Sequence, residues 1–159
     1  MSKKSEYIET VEEVLKKYFA AVRIPVSILD KNNKSRFCIP PCEDNSWPEK
    51  NNVLCQNYYK FNQIKVPTLI IKDNEFYFGI IPIDYSLYVI LGPILPTKFT
   101  LSELLQGLSY IYTEKEIITY YHVNNDAGNM DNIRFSNIFA LLSGSLLHRT
   151  FFPDQPFHD

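Results

Sequence analysis

From Thr68 to Leu95 the chain reads TLIIKDNEFYFGIIPIDYSLYVILGPIL. Three runs of aliphatic, β-branched and aromatic residues are split by Asp73-Asn74 and by Asp84-Tyr85-Ser86. Such runs suit a pleated, half-buried surface, and short polar breaks between them predict consecutive antiparallel hairpins. Phe76, Phe78 and Ile80 alternate with Tyr77, Gly79 and Ile81, so the middle strand is apolar on both faces. A sheet built from it is covered on both sides. Gly92-Pro93 falls near the end of the last run. Proline lacks the ladder donor and glycine permits a bend, which predicts that pairing stops there and the chain swings over the sheet.

Upstream, Ile8, Val11, Val14, Leu15, Tyr18, Phe19 and Val22 recur in steps of three and four, with Glu9, Glu12, Glu13, Lys16 and Lys17 opposite. This is one face of an amphipathic helix over Ser5–Val22, closed by Pro25. PVSILDKNNKSRFCIP, Pro25–Pro40, reads as strand, turn, strand, because Asp and Asn at 30–34 accept the left-handed backbone of a tight turn. A proline-rich loop over Pro40–Pro48 and a helix over Val53–Phe61 follow. Downstream, Thr100-Leu-Ser-Glu103 is a capping box that opens a helix, and Thr113 to Glu116 repeats the pattern. After NNDAGNMD, 124–131, a last helix carries Phe135, Ile138, Phe139, Leu142 and Leu146 on one stripe, widened by Leu141 and Leu147. Ser143-Gly144-Ser145 in that helix predicts close approach of another backbone. From Phe151 the chain has no period.

The 159 residues fit one domain able to bury its own core, with 45% hydrophobic and 21% charged residues. A net charge of −2, with KNNKSR in a turn as the only dense cationic run, does not suit a chain that grips nucleic acid by itself. MSKKSEY lacks the apolar core of a secretory signal, and no stretch approaches the roughly 18 uninterrupted apolar residues of a membrane span. With three cysteines and no such signal, the expectation is reduced thiols and a cytoplasmic location without membrane contact.

Helix, two strands, an insert, three strands and further helices resemble the GAF/PAS-like arrangement, an α+β fold with a five-stranded antiparallel sheet flanked by N- and C-terminal helices. This expected domain covers residues 1–150, and 151–159 form a tail or the start of a linker. LYVILGPILP followed by IRFSNIFALLSGSLL resembles the N-terminal sensor region of AraC-type transcription regulators from low-GC Gram-positive bacteria. Gly92, Pro93, Arg134, Phe135, Ser136, Leu141 and Leu142 carry the likeness, with Ile24–Asp30 as the matching first strand. The resemblance implies a non-catalytic sensor that takes a small-molecule or peptide effector. It also implies a homodimer and contact with DNA only through a C-terminal helix-turn-helix domain absent from this chain. The alternative is a profilin-like protein-interaction module without a small-molecule ligand.

No motif signals an enzyme: G-x-S-x-G, H-E-x-x-H and the phosphate-binding G-x-x-x-x-G-K are all missing, and five glycines leave little for a nucleotide loop. No cofactor is expected. Cys38, Cys42 and Cys55 are the donors for a zinc site or thiol switch, but no fourth ligand stands at fixed spacing, which favours ordinary core or loop thiols over a metal. His122, His148 and His158 are scattered, and Arg36 and Arg134 are candidate anion partners. Aromatic side chains with a polar tip suit a pocket wall, and the candidate ligand residues are Arg36, Cys38, Trp47, Tyr58, Tyr77 and Tyr88. Candidate dimerisation residues on the terminal helices are Val11, Tyr18, Phe139, Leu142 and Leu146.

Overall fold

The break at Asp84–Ser86 is a tight turn of the kind that twisted hairpins prefer: Tyr85 and Ser86 both have positive φ (63° and 56°), and the Leu87 amide donates to the Asp84 carbonyl at 3.4 Å. Neither residue is Gly or Asn, so the left-handed backbone costs about 1–2 kcal/mol at each position. Tyr7 braces the turn from outside. Its hydroxyl oxygen accepts from the Asp84 amide at 3.3 Å and its ring lies 5.3 Å from that of Tyr85. Burial raises the Tyr7 phenol well above the ordinary tyrosine value.

The computed structural model describes residues 2–41, 47–55, 63–72, 76–95 and 98–151. Among these the order is α1 (Lys3–Val22), β1 (Val26–Asp30), β2 (Ser35–Ile39), α2 (Trp47–Cys55), β3 (Thr68–Lys72), β4 (Phe76–Ile83) and β5 (Leu87–Ile94), then α3 (Leu101–Leu108), α4 (Glu114–Asp126) and α5 (Asn132–Phe151). The chain is thus an α+β fold, with helices at both ends of a five-stranded antiparallel sheet of order β2-β1-β5-β4-β3. The turn after β1 forms as its sequence predicts: Asp30 Oδ1 accepts from the amides of Asn32 and Lys34 at 2.8 and 3.0 Å, and Asn33 takes the left-handed conformation.

Alternation along the strands sorts side chains onto two faces. Val26 and Ile28 of β1, Tyr77 and Ile81 of β4 and Leu87, Val89 and Leu91 of β5 point inward, onto α1 through Val11 and Leu15 and onto α5 through Phe135, Phe139, Leu142 and Leu146. Leu29, Phe78, Ile80, Tyr88 and Ile90 form a second buried cluster on the opposite, outer face. Both faces are therefore covered, as the apolar alternation predicts. Each fully buried Leu, Ile or Phe contributes about 1.5–3 kcal/mol, so the two clusters dominate stability.

Three expectations need correction. Gly92-Pro93 is not the exit from the sheet, because β5 continues through it to Ile94. Gly79 pairs with Leu91 and Tyr77 with Ile94, so two steps on β4 face three on β5, and Gly92-Pro93 occupies the resulting bulge. Gly92 has φ +97°, donates to the Pro25 carbonyl at 2.7 Å, and a Cβ there would stand 2.8 Å from the Tyr77 carbonyl oxygen. Second, α2 starts at Trp47, inside the expected loop, with Pro48 in its first turn, where the missing N–H costs nothing. Of the helix expected over 53–61, residues 53–55 belong to α2 and the rest lie outside the described residues. Third, Gly144 admits no close neighbour: nothing lies within 4 Å of a Cβ built there. The close approach is at Gly79, where a Cβ would stand 2.3 Å from the Phe139 ring.

α3 and α4 open on the expected capping boxes. Thr100 Oγ1 accepts from the Glu103 amide at 3.1 Å, and Glu103 returns the contact on the Thr100 amide at 2.9 Å, which holds its carboxyl below the usual carboxylate range. Thr113 and Glu116 repeat the pattern at 3.2 and 2.8 Å. α4 then runs through Asn124–Asp126, the first three residues of the expected break.

Candidate functional site

The outer face of the sheet is the surface on which residues of differing chemistry converge. One transverse row crosses all five strands: Cys38 stands opposite Ser27, Ser27 opposite Ile90, Ile90 opposite Ile80, and Ile80 opposite Thr68. A neighbouring row sets Leu29 opposite Tyr88 and Tyr88 opposite Pro82. Ser27 is fully buried at 0% exposure, and its Oγ has no hydrogen-bond partner among the described residues. A hydroxyl left unpaired in an apolar wall costs about 1–3 kcal/mol, so this position is one where stability alone favours alanine.

α2 packs against β1 and β2, whose inner face is taken by α1, so α2 stands on the outer side. Trp47 Nε1 donates to the Pro40 carbonyl just beyond β2 at 2.9 Å, and Lys34 just before β2 lies 3.8 Å from Glu49. Toward α4, Lys50 Nζ donates to Glu116 Oε1 at 2.5 Å and the Tyr112 hydroxyl donates to Asn51 Oδ1. Asn51 is buried, and its Nδ2 has no partner among the described residues. The outer side therefore presents an apolar floor and, among the described residues, an orphaned hydroxyl on β1.

Of the expected ligand residues, Cys38 and Tyr88 lie on this face and Trp47 is buried at the start of α2. Arg36 is exposed on β2, at the register shift that leaves it unpaired between Ser35 and Phe37. Tyr77 is not with them: it points inward, its ring 5.7 Å from that of Phe135. Tyr58 lies outside the described residues. Ser27 and Asn51 escaped the sequence reading. Ser27 has a weak signal, a lone hydroxyl inside the apolar run PVSIL, and Asn51 has none.

The expected dimerisation residues turn inward. Val11, Phe139, Leu142 and Leu146 are at most 7% exposed and belong to the inner core, while the Tyr18 hydroxyl lies 3.3 Å from Ser145 Oγ on α5. The apolar stripes of α1 and α5 are satisfied by each other and by the sheet. Ile133 and Leu141 remain exposed on α5, at 69% and 66%. Arg134, a candidate anion partner, instead donates through Nη1 to the carbonyls of Ala127 and Asn129 at 3.2 and 2.8 Å, closing the α4–α5 turn.

The thiol expectation is also corrected. Cys38 is disulfide-bonded, so its sulfur is neither a reduced thiol nor a thiolate free to ligate zinc. Among the described residues no three His, Cys, Asp or Glu side chains gather as metal ligands. His122 is exposed with its ring 5.4 Å from that of Tyr121, and His148 and His158 fall outside the described side chains. No helix among the described residues is long and apolar enough to cross a membrane. Compared with known proteins, the chain matches no family model, no curated protein and no solved structure.

Proposed function

We propose that this chain is the GAF/PAS-like sensor domain of an AraC-type transcription regulator, a non-catalytic cytoplasmic module. A small-molecule or peptide effector binds at the outer face of the sheet and biases the placement of α1 and α5. DNA is contacted by a helix-turn-helix domain C-terminal to this chain. The mechanism is population shift, so the effector acts only through unequal affinity for the two helix placements.

The observation that carries this reading is the buried hydroxyl of Ser27, unpartnered among the described residues and set beside Ile90 at the margin of the outer apolar cluster. An apolar wall with a few convergent polar atoms is the usual composition of a small-molecule site. The test is a thermal-shift screen of metabolites and peptides on the wild type, Ser27→Ala and Ile90→Trp, with crystallographic inspection for co-purified density. A true effector at 100 times its Kd stabilises the wild type by about 2.7 kcal/mol. Ile90→Trp fills the face and abolishes that shift. Ser27→Ala leaves the free protein at least as stable and weakens the effector about tenfold. A dry outer face with no hit among these compounds sinks the sensor reading and leaves the profilin-like interaction module.

The proposal includes a homodimer, but not through the five side chains first expected. Ile133 and Leu141 are large apolar residues that α5 leaves exposed. Sedimentation of the wild type and Leu141→Glu decides the point: a wild type that stays monomeric at high concentration removes the dimer.

A further inference from the structure

We propose that the β4–β5 turn is a strained latch held by Tyr7, through which the first turns of α1 and the hairpin that carries Tyr88 switch together. The proposal rests on the sensor reading only for the signal that is passed; the latch itself stands on Tyr7 and residues 84–88.

Two successive left-handed residues carry little strain in a hairpin turn when they are Asn-Gly. Here they are Tyr85 (φ 63°) and Ser86 (φ 56°). The turn's own closing bond, from the Leu87 amide to the Asp84 carbonyl, is long at 3.4 Å. Support comes instead from another element. The Tyr7 hydroxyl accepts from the Asp84 amide at 3.3 Å, and the Tyr7 ring lies 5.3 Å from that of Tyr85. A strained backbone persists where its surroundings over-determine it, and α1 supplies those surroundings.

α1 is itself loosely held at this end. Residues 2–6, 9 and 10 are exposed, and Val11 is the first buried residue of the helix. Ahead of it only Tyr7 and Ile8 are half-buried. A helix end with so few apolar contacts opens locally at low free energy. Two states follow. With α1 seated, Tyr7 holds the turn left-handed; with the end of α1 lifted, Tyr85 and Ser86 leave that region. Relief of strain favours the lifted state and the Tyr7 contacts favour the seated one, so the two oppose each other through one side chain. The turn leads within two residues into Tyr88, which lies in the outer cluster opposite Leu29 and Pro82. A bias applied at Tyr88 thus reaches α1 along the backbone of the hairpin.

The experiment is amide hydrogen exchange by NMR on the full chain, on Ser86→Gly, on Tyr7→Ala and on the double variant. Ser86→Gly removes left-handed strain and with it the drive to lift α1. The amides of Ile8, Glu9 and Thr10 are therefore expected to exchange at least about fivefold more slowly than in the wild type. Tyr7→Ala is expected to speed exchange at Leu87 at least about fivefold and to move the Tyr88 amide resonance, and to do neither in the Ser86→Gly chain. A turn that only connects two strands changes overall stability on Ser86→Gly and leaves the local rates at Ile8–Thr10 as they were; that result overturns the latch. So does a Leu87 amide that Tyr7→Ala speeds equally in both backgrounds. None of these readouts uses an effector. Coupled exchange supports the latch even where the compound screen finds nothing on the outer face, and uncoupled exchange overturns the latch even where that screen finds an effector.

Discussion

At the scale of single residues, three glycines have three different reasons to be present. At Gly79 the obstacle is a side chain, the Phe139 ring, 2.3 Å from where a Cβ would stand. Gly79→Ala is expected to cost about 1–3 kcal/mol by overpacking, and Phe139→Leu in the same chain should recover part of it. At Gly92 the obstacle is the Tyr77 carbonyl oxygen, a backbone atom, and φ is +97°. No side-chain change relieves that, so Gly92→Ala stays destabilised in any background. Gly144 sits in α5 with open space around it, and Gly144→Ala should add about 0.5–1 kcal/mol through helix propensity. Urea unfolding of the three variants and the double mutant checks the order. Equal losses at Gly79 and Gly144 would contradict the packing described. Sequence alone ranks these glycines differently. Ser143-Gly144-Ser145 looks like the contact point and Gly79 looks like one more small residue in a strand. The difference lies in where Phe139 lands, which no local pattern encodes.

At the scale of elements, what was legible is what is local. Both capping boxes, the first helix as expected over residues 5–22 and the Asp30–Lys34 turn follow from residues within four positions of one another. α2 was misplaced because Pro48 reads as loop chemistry, although proline is at home in a first helical turn. The tie between α2 and α4 leaves no trace in either segment. Glu116 serves both: it accepts the Thr113 amide as the return arm of the capping box, and it accepts Lys50 from α2. Glu116→Gln keeps an acceptor suited to the box and loses the charge pair. Its expected cost is about 1 kcal/mol, the same as Lys50→Met, since both side chains are about four-fifths buried. Glu116→Ala loses both roles and should cost about 2 kcal/mol. Denaturant unfolding of the single variants and of Lys50→Met with Glu116→Gln measures the coupling. Additive losses would mean that the pair contributes nothing of its own.

At the scale of the whole molecule, the two-faced sheet was readable because alternation within β4 and β5 is apolar in both phases. The strand order was not, because β1 and β5 meet only through pairings such as Ser27 with Ile90, far apart in the chain. That non-local seam leaves β1, β5 and β4 as the interior strands, and every residue of β5 is buried. The inner and outer clusters draw alternate residues from the same strands, so neither can melt while the other stays intact. Unfolding is therefore expected to be a single transition by near-UV and far-UV signals alike. Native-state hydrogen exchange should show the amides of Val89, Ile90 and Leu91 opening only with global unfolding. α3 is different: Leu104 is its one buried residue among eight, so its amides should exchange at least about tenfold faster by local opening. If β5 amides exchanged as fast as those of α3, the sheet would not be the cooperative centre. An effector acting on one face would then have no rigid body through which to reach α5.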